Sequence, residues 1–177
     1  MREEGRPQHC ARNEERERGG SGEPVFREAA ESERERRYRR IFRSRSEPHT
    51  FYQLLGMQLR ELREGGATFS LPVSSRFFNA GGMVHGGVLA SLADASMAAA
   101  LATVIDLDRE TMATVEMKIN YMYPVTGGEL RSEGKVVQRG RSIAVVEACL
   151  TDGTGRMVAK AMGTFAVRSR EKGTQVD

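Results

Sequence analysis

The segment Val88–Ile105, VLASLADASMAAALATVI, is apolar on every side and carries a single charge, Asp94. A helix that is apolar all round has no face to offer to water, so something else must enclose it. Its length would suffice for a bilayer, but a carboxylate at mid-span is costly in lipid and patterned strands follow at once. The segment therefore predicts a buried helix with the rest of a domain folded around it.

The surrounding sequence supplies the enclosure. A short helix is expected around Phe51–Leu55, then an extended stretch to Gly65-Gly66 and a strand over Ala67–Val73. A loop of small residues, SSRFFNAGGMVHGG, leads into the long helix, and Asp106–Glu110 reads as a polar connection after it. Over Thr111–Tyr123, Val115, Met117, Ile119 and Tyr121 alternate with Thr114, Glu116, Lys118 and Asn120, a period-two strand with one buried face. Pro124 and Gly127-Gly128 end it, and Glu129–Gln138, Ser142–Thr151 and Met157–Arg168 read as three more strands separated by turn signals. An antiparallel sheet with one face covered by the long helix, an α+β architecture, satisfies this order.

Charge divides the chain of 177 residues unevenly. Residues 1–50 hold 13 of the 27 basic and 11 of the 24 acidic side chains with few large apolar ones, so residues 1–47 read as a charged arm, disordered or frayed-helical over Glu28–Arg45. Residues 48–170 form the domain and residues 171–177 a flexible tail. On this reading, removing residues 1–47 leaves activity and assembly unchanged. The domain is close to neutral, and the arm's arginines alternate with glutamates, which argues against a nucleic-acid footprint. Cys10 and Cys149 do not make a disulfide framework and fit a reducing compartment. The start MREEGRPQHC has no apolar run after its charges, so a cytoplasmic location is expected.

Chemistry concentrates in Asn79–Asp94, NAGGMVHGGVLASLAD. Gly86 and Gly87 at a helix start leave N–H groups unshielded, and with the positive end of the helix dipole they suit the developing oxyanion of a thioester or ester. Asn79 and His85 flank that point, while Asp94 is the lone carboxylate of the helix and expected to be buried among small residues. Gly86 and Asp94 are eight residues apart, roughly 12 Å along a helix axis at about 1.5 Å per residue. Both can act on one carbonyl only if Asp94 comes from a second subunit whose helix runs antiparallel, which predicts a homodimer with two composite sites. Of the other histidines, His9 and His49 lie in the arm or at its end and no cysteine pair has ligand spacing, so neither a metal nor another cofactor is expected. The turn Arg139-Gly140-Arg141-Ser142 offers two guanidiniums for phosphate groups, and reads equally as a solvated hairpin turn.

The run from Asn79 to Asp94, followed by TVEMKINYMYP, VVQRGRSIAVVEACL and DGTGRMVAKAMGTFAV, resembles hotdog-fold acyl-CoA thioesterases of the phenylacetate-pathway, PaaI-like group. The likeness covers about Phe51–Arg168. It implies an antiparallel sheet wrapped round a central helix, with subunits paired so that their sheets join, as a dimer or a dimer of dimers. It further implies Gly86 and Gly87 as oxyanion donors, Asn79 and His85 as residues holding the reacting groups, and Asp94 as general base or nucleophile. Thr114 stands where relatives carry a hydroxyl that assists the water, and the CoA moiety falls to Arg139, Gly140, Arg141 and Ser142. Two other readings stay open: a hydratase or dehydratase of acyl thioesters on the same fold, and a non-catalytic acyl-CoA-binding module.

Overall fold

The computed structural model describes residues 32–170. Most of the charged arm and the expected tail at 171–177 lie outside the described residues.

Helix α1, Glu33–Ser46, opens on a capping box in which Ser32 and Glu35 satisfy each other's backbone N–H groups. It stops at Glu47, held extended by the following Pro48. This helix is docked on the domain, which corrects the expectation of a frayed, solvated segment. Tyr38, Ile41 and Arg45 recur at helical spacing and form one inward stripe, with Ile41 fully buried. Arg37 donates to the Thr103 carbonyl at 2.9 Å and Arg40 pairs with Asp108 at 2.5 Å, so the N-terminal half of the stripe is tied to the end of α3 and the segment that follows it. Sparse apolar residues suffice when they share a face.

Helix α2, Phe51–Leu55, ends at Gly56, whose φ of 72° only glycine adopts without strain. The hairpin β1 (Gln58–Arg63) and β2 (Gly66–Pro72) follows, then a single 3₁₀ turn at Ser75–Phe77 and the long helix α3, Gly86–Ala102. Four strands complete the chain: β3 (Glu110–Tyr121), β4 (Glu129–Arg139), β5 (Ile143–Thr151) and β6 (Met157–Ser169). All six form one antiparallel sheet in the order β1-β2-β4-β5-β6-β3. The strand that follows α3 thus crosses to the far edge beyond β6 instead of pairing with β4, its successor in sequence.

Helix α3 packs against every strand of the sheet, as an all-round apolar helix requires. It comes close to the sheet over Gly134 of β4, where a Cβ would stand 2.3 Å from the Ser96 carbonyl oxygen. Beside that point the hydroxyls of Ser96 and Ser132, both fully buried, satisfy each other at 2.7 Å. The sheet's two edges differ. Arginines and glutamates, Arg60–Glu129 and Arg63–Glu133, line the β1 side, whereas β3 leaves Val115 62% exposed on its open edge. Cys149 lies on β5, and Cys10 lies outside the described residues. Among the described residues no helix is long and apolar enough to cross a membrane.

Candidate active site

The loop before α3 is built to present a helix N-terminus. Phe77 is buried and its carbonyl receives the His85 N–H at 2.8 Å, while the Val84 N–H reaches Val125 at 2.8 Å. Asn79 closes the turn between them: its Oδ1 accepts from Gly81 N–H at 2.8 Å and Met83 N–H at 3.3 Å. Within one chain Asn79 therefore braces the loop.

His85 is the N-cap of α3, its Nδ1 accepting from the Gly87 N–H at 2.9 Å. An accepting Nδ1 puts the proton of the neutral ring on Nε2, so the imidazole presents a donor outward. The same bond consumes one of the two expected oxyanion donors. Gly87 N–H faces its own cap, and Gly86 N–H is the one that finds no acceptor among the described residues. Tyr121, at the end of β3, meets this point from the sheet, its hydroxyl donating to the Gly86 carbonyl at 3.0 Å.

Farther along the same helix, Asp94 Oδ1 accepts from Thr114 Oγ1 at 2.7 Å. The contact depends on an irregularity in β3. Thr114 pairs with Phe165 and Glu116 with Thr164, leaving Val115 without a partner as a bulge residue. An extra residue reverses the inward-outward phase, so Met112 and Thr114 face α3 before the bulge, and Met117 and Ile119 after it. Val115, expected on the buried face, is instead largely exposed. Asp94 and Thr114 share the wall of a cavity of about 350 Å³ with Phe51, Tyr52, Ala90, Ser91 and Met117. Asp94 is half-buried and open to this cavity, which corrects the expectation of a fully enclosed carboxylate. The aromatic end of the cavity is held from behind: Arg45 of α1 lies over the Tyr52 ring at 5.9 Å, and burial pushes its guanidinium below the usual value.

The expected phosphate turn separates into two parts. Arg139 is committed to Glu110 at 2.5 Å, with both side chains largely covered, and Glu110 also receives the Asp106 N–H at 2.9 Å. Arg139 therefore fastens the α3–β3 connection and is not available to a ligand, a correction to its expected role. Gly140 makes the tight turn, where a Cβ would lie 2.9 Å from the Ile143 carbonyl oxygen. Arg141 and Ser142 are exposed and line a separate cleft of about 510 Å³ that also holds Arg168. Strand register alone brings Arg168 there, so no sequence spacing announced it. Phe51, Tyr52 and Tyr121 were likewise unannounced as site residues, because they come from elements that only the fold brings to α3. Among the described residues no group of three or more histidine, cysteine and acidic side chains is placed to hold a metal ion.

A six-stranded antiparallel sheet packed around one long helix is the hotdog architecture of thioester hydrolases. Residues 81–159 match the Thioesterase superfamily family model. A relative from Saccharolobus solfataricus, named only provisionally as an esterase, is 33% identical over 117 residues, covering 66% of this chain and 81% of the relative. The 1,4-dihydroxy-2-naphthoyl-CoA hydrolase of Listeria monocytogenes is 25% identical over 120 residues, 68% of this chain and 97% of that protein. The solved structure of a conserved protein from Pseudomonas aeruginosa superposes with a TM-score of 0.66 at 37% identity, covering 71% of this chain and 98% of that one. The chain belongs to the thioesterase superfamily.

Proposed function

We propose that the protein hydrolyses an acyl-CoA thioester to a free acid and CoA, with Asp94 as general base or nucleophile and the Gly86 N–H as oxyanion donor. The observation that carries this reading is the Thr114–Asp94 hydrogen bond on a cavity wall. It engages one carboxylate oxygen and leaves the other for a water molecule or for the thioester carbon. As general base, Asp94 takes a proton from water while the water oxygen adds to that carbon. The resulting oxyanion rests on the Gly86 N–H at the positive end of α3. Its collapse breaks the C–S bond and CoA leaves as the thiolate. As nucleophile, Asp94 adds to the thioester carbon, the C–S bond breaks to release CoA thiolate and leave a mixed anhydride, and water then hydrolyses that anhydride to the free acid and the Asp94 carboxylate.

Gly86 and Asp94 lie on one rigid helix, roughly 12 Å apart at about 1.5 Å per residue. The reading therefore takes each site from two copies with antiparallel α3 helices, in a homodimer or a dimer of dimers. The open β3 edge, with Val115 exposed, supports a pairing there. Arg141, Ser142 and Arg168 offer cations and a hydroxyl to the phosphates of CoA. The Asn79–Asp94 motif supports the PaaI-like group, and the relative named for a CoA thioester supports that substrate class.

The test is thiol release from short-chain, aromatic and long-chain acyl-CoA. Release abolished by Asp94→Asn is expected. Hydration of an enoyl-thioester without thiol release, or binding without turnover of any substrate, would overturn the assignment in favour of a hydratase or a binding module.

A further inference from the structure

Gly86 lacks a side chain, and the ring of Tyr121 occupies the place one would take. A Cβ built there would lie 3.2 Å from Cζ, 3.3 Å from the hydroxyl oxygen and 3.4 Å from Cε1 of Tyr121. Tyr121 is held from the sheet, paired across with Ala159 of β6. It is 52% exposed, so burial alone does not account for its position. Its hydroxyl donates to the Gly86 carbonyl at 3.0 Å.

That carbonyl and the Gly87 N–H belong to one rigid peptide plane. The N–H end of the plane is held by His85 Nδ1 at 2.9 Å and the carbonyl end by Tyr121. The adjoining plane, between His85 and Gly86, carries the free Gly86 N–H. Glycine is the residue whose two flanking planes rotate most freely against each other. The carbonyl of that adjoining plane accepts the Val88 N–H at 2.9 Å, so the donor is aimed from both sides of the glycine, by this bond and by the fixing of the neighbouring plane.

We propose that Tyr121 is a positioning residue: together with His85 it pins the Gly86–Gly87 peptide at both ends and so sets the direction of the Gly86 N–H. The inference rests on the reading of Gly86 as the oxyanion donor. Tyr121 touches no reacting atom and acts through Gly86. The edge strand, and not the helix alone, thus sets the geometry of the donor.

The test is Tyr121→Phe in the full chain, which keeps the ring and removes one hydroxyl. The expected result is an unchanged melting temperature, an unchanged KM for acyl-CoA and a kcat about tenfold lower, the scale of one hydrogen bond. Two non-hydrolysable CoA analogues separate positioning from a merely structural role: a trifluoromethyl ketone, which hydrates to a tetrahedral mimic of the oxyanion, and a thioether without a carbonyl. Tyr121→Phe should weaken the ketone about tenfold and leave the thioether unchanged. Equal loss of both analogues, or a kcat equal to that of the parent, overturns the proposal. Asp94→Asn distinguishes the failures. If Asp94→Asn keeps full hydrolysis, the reading of the site is wrong; if it abolishes hydrolysis while Tyr121→Phe is fully active, only the clamp is wrong.

Discussion

Thr114 Oγ1 and Asp94 Oδ1 meet at 2.7 Å across the gap between an edge strand and the central helix. Twenty residues separate them in sequence, and the bulge at Val115 turns the threonine inward. On the proposed mechanism this bond holds the carboxylate in one rotamer and leaves a single oxygen for chemistry. Asp94→Asn should lower kcat by about 10³-fold or more, and Thr114→Val, which keeps the branched shape without the donor, by about tenfold. Neither should shift the melting temperature by more than a few degrees. Steady-state thiol release and thermal denaturation check both; a Thr114→Val protein with parental kcat would make the threonine a strand residue only.

The two arginines of the β4–β5 turn should separate cleanly. Arg139→Ala leaves Glu110 without its partner and should lower the melting temperature while KM stays put. Arg141→Ala should raise KM for acyl-CoA about tenfold, more at low salt than at high, and leave stability alone. A pantetheine thioester lacking the nucleotide phosphates is the control, since its KM should be indifferent to Arg141.

Removal of the arm is not neutral if α1 is part of what is removed. Ile41 is fully enclosed between α1 and the domain, so Ile41→Ala should cost about 2–5 kcal/mol in urea denaturation. Truncation before Ser32 should leave denaturation midpoints unchanged, whereas truncation before Pro48 should lower them. Equal midpoints for the two truncations would return α1 to the status of a solvated appendage.

Gly134 is a point where helix and sheet leave no room for a side chain. Gly134→Ala would place a methyl 2.3 Å from the Ser96 carbonyl oxygen, a backbone atom that cannot swing aside. The helix must shift, at a cost of about 1–3 kcal/mol or more. Because Ser96 follows Asp94 by two residues, kcat should fall along with stability.

The helix, the strands and the Asn79–Asp94 run were legible because each declares itself locally, by periodicity or by glycines at a helix start. What escaped was decided across the chain. Strict alternation put Val115 on the buried face, yet pairing with Phe165 and Thr164 skips that residue and inverts the phase before it. Arg139 reads as a free turn cation until Glu110, 29 residues away, is brought beside it. Gly87 looked like a second oxyanion donor, and lost that role to a cap bond from the histidine two places earlier. Tyr121 carries no motif that ties it to Gly86, since only the crossing of β3 to the far edge sets them together.

The fixed spacing of Gly86 and Asp94 on one helix makes the two halves of the proposed site genetically separable. A chain with Gly86→Pro loses the donor N–H at the first helical position, where no ladder bond needs it, after a His85 already extended at φ −62° and ψ 136°, and its ring must displace Tyr121, which lies 3.2 Å from the place of the new Cβ. A chain with Asp94→Asn keeps that donor and loses the carboxylate. Each should be inactive alone, yet refolded together in equal amounts they should regain about a quarter of the parental activity. Half the dimers would be mixed, and each of those would assemble one intact site opposite one doubly broken one. Such cross-rescue between two dead proteins is the signature of a ruler that no single chain can close on itself.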